Sequence, residues 1–82
     1  MIMKLKELKK ENLTAHDALI EMWSELSLCS LATARRYLVA DIGDRYRLEK
    51  TLDGVFIFHD SEAGDTWKYS EKLNGWTWLI SF

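Results

Sequence analysis

Apolar residues recur at intervals of three and four through the first half of the chain and at intervals of two through the second. Ile2, Leu5 and Leu8 stand three apart among four lysines and two glutamates, which fits either a short helix or a docked basic arm over residues 1–12. Ala15, Ala18, Leu19, Met22, Trp23 and Leu26 then form one broad helical stripe, with Asp17, Glu21, Ser24 and Glu25 facing water. Thr14 is the expected N-cap of that helix and Asp17 its N3 carboxylate. Ser27-Leu28-Cys29-Ser30 breaks the period, and Ser30 is placed to cap a second helix whose stripe is Leu31, Ala34, Leu38 and Ile42 and whose stop is Gly43.

After Asp44 the period falls to two. Asp53-Gly54 is a two-residue hairpin signal, and a turn that tight sets Leu52 opposite Val55, Lys50 opposite Ile57 and Leu48 opposite His59. Phe56 and Phe58 then lie on the second face and require another cover or a partner. Asn74-Gly75 marks a further hairpin, with Trp67, Tyr69, Leu73, Trp76, Trp78, Ile80 and Phe82 on one side. The expected fold is α+β: two N-terminal helices, or three if residues 1–12 are helical, packed on a four-stranded antiparallel meander. Residues 1–82 read as a single domain, with a helical hairpin over 13–43 and two β-hairpins over 45–82.

Composition narrows the function more than it names it. Eleven Lys+Arg against thirteen Asp+Glu give a formal net charge of −2, which excludes a polybasic nucleic-acid binder while leaving a local basic patch open. A single cysteine, Cys29, cannot form an internal disulfide, and the lysine-rich start contains no apolar run of signal-peptide or membrane-span length, so a cytoplasmic protein off the membrane is expected. With 82 residues there is little surplus scaffold for a catalytic cleft. Cys29, His16 and His59 could nominally supply a nucleophile and a base, but nothing in the sequence brings them together, and His16 reads as a surface group. No phosphate-cradling glycine loop or zinc spacing is present; the expectation is no enzyme, no cofactor and no metal site.

Two constellations remain. His59-Asp60-Ser61-Glu62-Ala63-Gly64-Asp65 gathers three carboxylates without the spacing of a calcium loop, and reads as an acidic knob for a basic partner surface. With the strand-borne aromatics it makes Phe56, Phe58, Asp60, Glu62 and Asp65 the expected partner-binding set of a small protein-interaction module, monomeric or homodimeric, that acts by occupancy. Small acidic domains of this kind include regulators and inhibitors from phages and mobile elements that act on larger nucleic-acid-processing proteins, an analogy of class alone.

The alternative is DNA binding. Ser30-Leu31-Ala32-Thr33-Ala34-Arg35-Arg36-Tyr37-Leu38 resembles the recognition helix of bacterial helix-turn-helix regulators, and the hairpin after it stands where a winged helix has its wing. The resemblance implies Ser30, Thr33, Arg36 and Tyr37 in the major groove and Arg45, Arg47 or Lys50 on phosphates. Residues 13–44 hold five acids against two arginines, a net −3, which disfavours a phosphate-facing surface and ranks this reading second.

Overall fold

The computed structural model of the chain describes residues 1–41 and 44–79. The expected helix stop at Ile42 and Gly43, and the expected end of the aromatic row at Ile80 and Phe82, lie outside the described residues. The element order is β1 (Ile2–Met3), α1 (Leu5–Glu11), α2 (Leu13–Ser27), α3 (Leu31–Asp41), β2 (Tyr46–Lys50), β3 (Phe56–Asp60), β4 (Asp65–Ser70) and β5 (Gly75–Leu79). The strands form one antiparallel sheet in sequence order, so the α+β meander holds with one strand more than expected. The extra strand comes from the N-terminus, which is neither arm nor helix alone: Ile2 and Met3 pair with Glu49 and Leu48 before α1 begins.

Asn12 joins the first two helices and replaces Thr14 as the N-cap. Its backbone N–H donates to Leu8 O at 2.7 Å and closes α1, while its Oδ1 accepts from Ala15 N at 3.0 Å and opens α2. One extended residue serves both ends, so α2 starts earlier than the Thr14 signal indicates. The buried face of α2 is Ala15, His16, Leu19, Ile20, Trp23 and Ser24, a stripe turned away from Leu26. His16 is therefore inside rather than on the surface, with Nδ1 2.8 Å from Asp17 Oδ1. Ser30 caps α3 as expected, its Oγ accepting from Thr33 N at 3.1 Å. Of the α3 stripe, Ala34 and Leu38 are fully buried, whereas Leu31 is exposed.

The first hairpin differs from expectation by one residue. Lys50 stands opposite Phe56, Leu48 opposite Phe58 and Tyr46 opposite Asp60. The turn is wider than two residues: Thr51 N donates to Val55 O at 2.8 Å, Gly54 N donates to Thr51 O at 3.0 Å, and Gly54 adopts φ 81°. This is a three-residue loop, in which a turn is followed by a left-handed glycine, and it takes Leu52 out of the strand to full exposure. Because side chains alternate faces, a one-residue slip moves a whole strand from one side of the sheet to the other. Phe56 and Phe58 consequently face the helices.

A continuous row then crosses the sheet on that side through Met3, Leu48, Phe58, Trp67 and Trp78. Phe58 sits at its centre, stacked on Tyr46 at a centroid distance of 5.8 Å and tilted against Trp67 at 6.0 Å. Trp23 of α2 meets the Tyr46 ring edge-on at 5.5 Å, and the Trp76 indole donates to Ala15 O at 3.0 Å, so α2 is tied to both ends of the meander. The opposite face, with Arg47, Glu49, Ile57, His59, Thr66, Lys68 and Thr77, carries no helix among the described residues.

Candidate functional site

The β3–β4 loop, expected as a solvated acidic knob, is held in place by its own carboxylates. Asp60 is 5% exposed, and its Oδ1 accepts from Glu62 N at 3.1 Å, Ala63 N at 3.3 Å and Arg45 Nε at 3.3 Å. The Arg45 guanidinium also reaches Glu62 Oε2 at 3.1 Å and lies 4.8 Å over the Tyr46 ring. The hydrogen bond to Asp60 is the main cause raising the Arg45 pKa above its ordinary value; burial opposes it, and the charges of Asp60 and Glu62 reinforce it. Ser61 closes the clamp, its N–H and its hydroxyl both donating to Arg45 O at 2.9 Å. Gly64, at φ 72°, completes the four-residue loop by donating to Asp60 O at 2.8 Å.

These contacts revise the expected docking set. Phe56 and Phe58 are core residues, and Asp60 is a buried loop anchor, so none of the three presents a surface to a partner. Glu62 stays exposed, and Asp65 is half-buried and accepts from the Trp78 indole at 3.3 Å. A groove of about 290 Å³ separates this loop from the end of α2 and is lined by Trp23, Leu26, Ser27, Arg45, Asp60, Ala63, Asp65 and Trp67. The acidic loop and the α2–α3 corner thus share one end of the molecule.

That corner is the feature the sequence reading passed over. Leu28 ends α2 in the left-handed conformation, φ 53° and ψ 46°, and its side chain is 93% exposed. Its N–H donates to Glu25 O at 3.4 Å, and the N–H of Cys29 donates to Ser24 O at 3.1 Å, so the backbone takes a form that glycine ordinarily supplies at helix ends. Leu31, three residues on, is also exposed and borders a depression with Asp17, Ile20, Glu21 and Arg35. The signal was present in the string Leu26-Ser27-Leu28-Cys29-Ser30-Leu31, which places leucine where a turn between helices usually carries glycine or polar residues.

The DNA-binding set is brought together only in part. Ser30 and Thr33 spend their hydroxyls on each other at 2.9 Å, and Tyr37 leans on Trp23 at 5.9 Å between ring centroids. Arg36 is exposed and has no ion pair among the described residues, whereas Arg45 is held by Asp60 and Glu62, Arg47 by Glu49 at 3.5 Å, and Lys50 by Glu11 at 3.2 Å. The β2–β3 hairpin is interior to the sheet, with β1 and β4 on either side of it.

The candidate catalytic groups lie in three separate surroundings. His16 is buried in α2, Cys29 is half-buried in the α2–α3 connection, and His59 Nδ1 meets Thr66 Oγ1 at 2.7 Å on the helix-free face of the sheet. Among the described residues no group of three or more His, Cys, Asp or Glu side chains is placed to hold a metal ion, and no helix is long and apolar enough to cross a membrane. Comparisons with protein-family models, with curated proteins and with solved structures found no match to this chain.

Proposed function

We propose that the chain is a non-enzymatic protein-interaction module that acts by occupancy, with the leucine corner between α2 and α3 as its anchor. The observation that carries this reading is Leu28. A non-glycine residue in the left-handed region costs backbone energy, and a fully exposed leucine there contributes nothing to the core. Glycine would serve the fold at least as well, so the side chain has its use outside the fold. Leu31 adds exposed apolar surface beside it, Glu25 supplies an exposed carboxylate one turn before Leu28, Glu62 lies exposed on the neighbouring loop in its pair with Arg45, and Asp17, Glu21 and Arg35 border the Leu31 depression. The partner surface that fits is an apolar pocket with a basic rim on a larger cytoplasmic protein.

Affinity capture from cell extract with the wild-type chain and with Leu28→Gly tests the assignment. The variant keeps the fold and loses the captured protein; equal recovery by both chains removes the corner from any binding role. The second reading, DNA binding through α3, draws on the exposed Arg36 and the Ser30 cap. Fluorescence anisotropy of labelled duplex DNA at low and near-physiological salt checks it. Salt-sensitive binding that weakens by about 1–3 kcal/mol in Arg36→Ala would displace the protein-partner reading.

A further inference from the structure

The side of the molecule formed by β5 is apolar from the sheet edge up to the helix above it. Strand β5 reads Gly75-Trp76-Thr77-Trp78-Leu79 and contains no ionisable side chain. Beyond its pairing with β4 it has no partner strand among the described residues, so one row of backbone N–H and C=O groups faces outward. Edge strands are ordinarily guarded by lysine, proline or a bulge, and this one has none of these within its five residues. The row of inner-face residues that starts at buried Met3 and Phe58 ends at Trp78, which is 54% exposed: α2 reaches β5 at Trp76 and leaves Trp78 open.

Helix α2 continues this surface. Ala15, Ala18, Met22 and Leu26 follow one another at three and four residues along one line of the helix, and the Ala15 carbonyl accepts from the Trp76 indole, so the line runs beside β5. Ala18, Met22 and Trp76 are only partly buried, and Leu26 is 60% exposed. Asp17 and Glu21 lie towards α3 on the helix wheel, where Glu21 and Leu31 border a depression, and exposed Glu25 flanks Ala18 at the solvent-facing rim of the line.

We infer that this side is the contact between two copies of the chain, joined antiparallel through β5 into a ten-stranded sheet. The strand is self-complementary about Thr77. A two-fold axis through that residue sets Trp76 of one copy opposite Trp78 of the other, twice, on the helix-bearing face, and Thr77 opposite Thr77 on the other face. Paired aromatics and paired threonines are favourable cross-strand neighbours, and with no charge on β5 no like-charge pair arises. The same axis turns the Ala18 and Met22 sides of the two α2 helices towards each other, where small and adaptable side chains permit close approach. The contact is separate from the Leu28 corner and stands whether or not that corner binds a partner.

Sedimentation velocity across the micromolar range tests the inference on the intact chain. The wild-type chain is expected at twice the 9.6 kDa monomer mass. Thr77→Lys places two ammonium groups opposite each other, as well as opposite Lys68 of its own sheet, and yields monomer with the wild-type near-UV circular dichroism, while an equimolar mixture of Thr77→Lys and Thr77→Glu forms the heterodimer again. Thr77→Glu stands opposite Lys68 of its own sheet, so its monomer remains folded, and near-UV circular dichroism reports the state of each variant. A wild-type chain that stays monomeric, a Thr77→Lys variant that stays dimeric, or a mixture that fails to reassociate overturns the assignment.

Discussion

Replacing Phe58 and, separately, Ile57 with alanine measures directly which face of β3 is buried. Phe58 is fully buried and touches the rings of Tyr46, Trp67 and Trp76 at centroid distances of 5.8, 6.0 and 6.4 Å. Removing a buried phenyl ring surrounded by rigid aromatics leaves a cavity that its neighbours cannot close, at a cost of about 3–5 kcal/mol. Ile57 lies on the helix-free face, half-exposed beside Arg47, Glu49, His59 and Thr66, so its truncation gives up only part of a transfer energy, about 1 kcal/mol. A domain of this length has a total stability of about 4–12 kcal/mol, so Phe58→Ala removes a large share of it. Urea unfolding followed by tryptophan fluorescence and by far-UV circular dichroism gives both differences, provided the two probes coincide and the slope is unchanged. In the register of a two-residue Asp53-Gly54 turn the order would invert. An Ile57→Ala cost equal to or above that of Phe58→Ala would refute the observed pairing.

Other predictions address the loop anchor and the helix ends. Asp60→Ala strips a buried acceptor from Arg45 and from two backbone N–H groups and should cost about 2–4 kcal/mol, whereas Asp60→Asn keeps an acceptor oxygen and should cost about half as much. Thermal unfolding reads the pair, since each kcal/mol shifts Tm by about 4–8 °C at this size; equal Tm values for Asp60→Ala and wild type would mean that the clamp adds nothing to the fold. Asn12→Ala should lose about 1 kcal/mol, and Thr14→Ala should stay within about 0.5 kcal/mol of wild type, a contrast that urea midpoints decide. Leu28→Gly should leave the midpoint unchanged or raise it by up to about 1 kcal/mol, because glycine relieves the left-handed strain but brings extra unfolded-state entropy. A marked loss of stability would show that the leucine serves the fold.

From Leu13 onwards the sequence by itself determined which segments are helical and which extended, because the change of period from three or four to two depends only on the local geometry of each element; the strand at Ile2–Met3 was not legible in this way. The Ser30 cap and the sidedness of the second hairpin were legible for the same reason. There the actual loop, Glu71 to Asn74, differs from the expected Asn74-Gly75 turn by a register shift of four, an even number, so Trp67, Tyr69, Trp76 and Trp78 remain on one face. In the first hairpin the shift is one, an odd number, and Phe56 and Phe58 pass from outside to core. An Asp-Gly pair suits a two-residue turn and equally the end of a three-residue loop, and only packing against the helices decides between them: the tight turn would leave two phenylalanines in water, the wider one leaves a single leucine, Leu52.

The candidate site was harder to read for a related reason. Acidity at Asp60, Glu62 and Asp65 is visible in the sequence, but charge does not say whether a carboxylate faces a partner or its own backbone. Tertiary structure turned Asp60 inward onto Arg45 and left Glu62 outside. Exposure at Leu28 and Trp78 is likewise a property of where the helices end over the sheet, which three short helices of seven, fifteen and eleven residues set by their lengths and connections. Local periodicity specifies what each residue can bury; the reach of the covering layer specifies what remains for a partner.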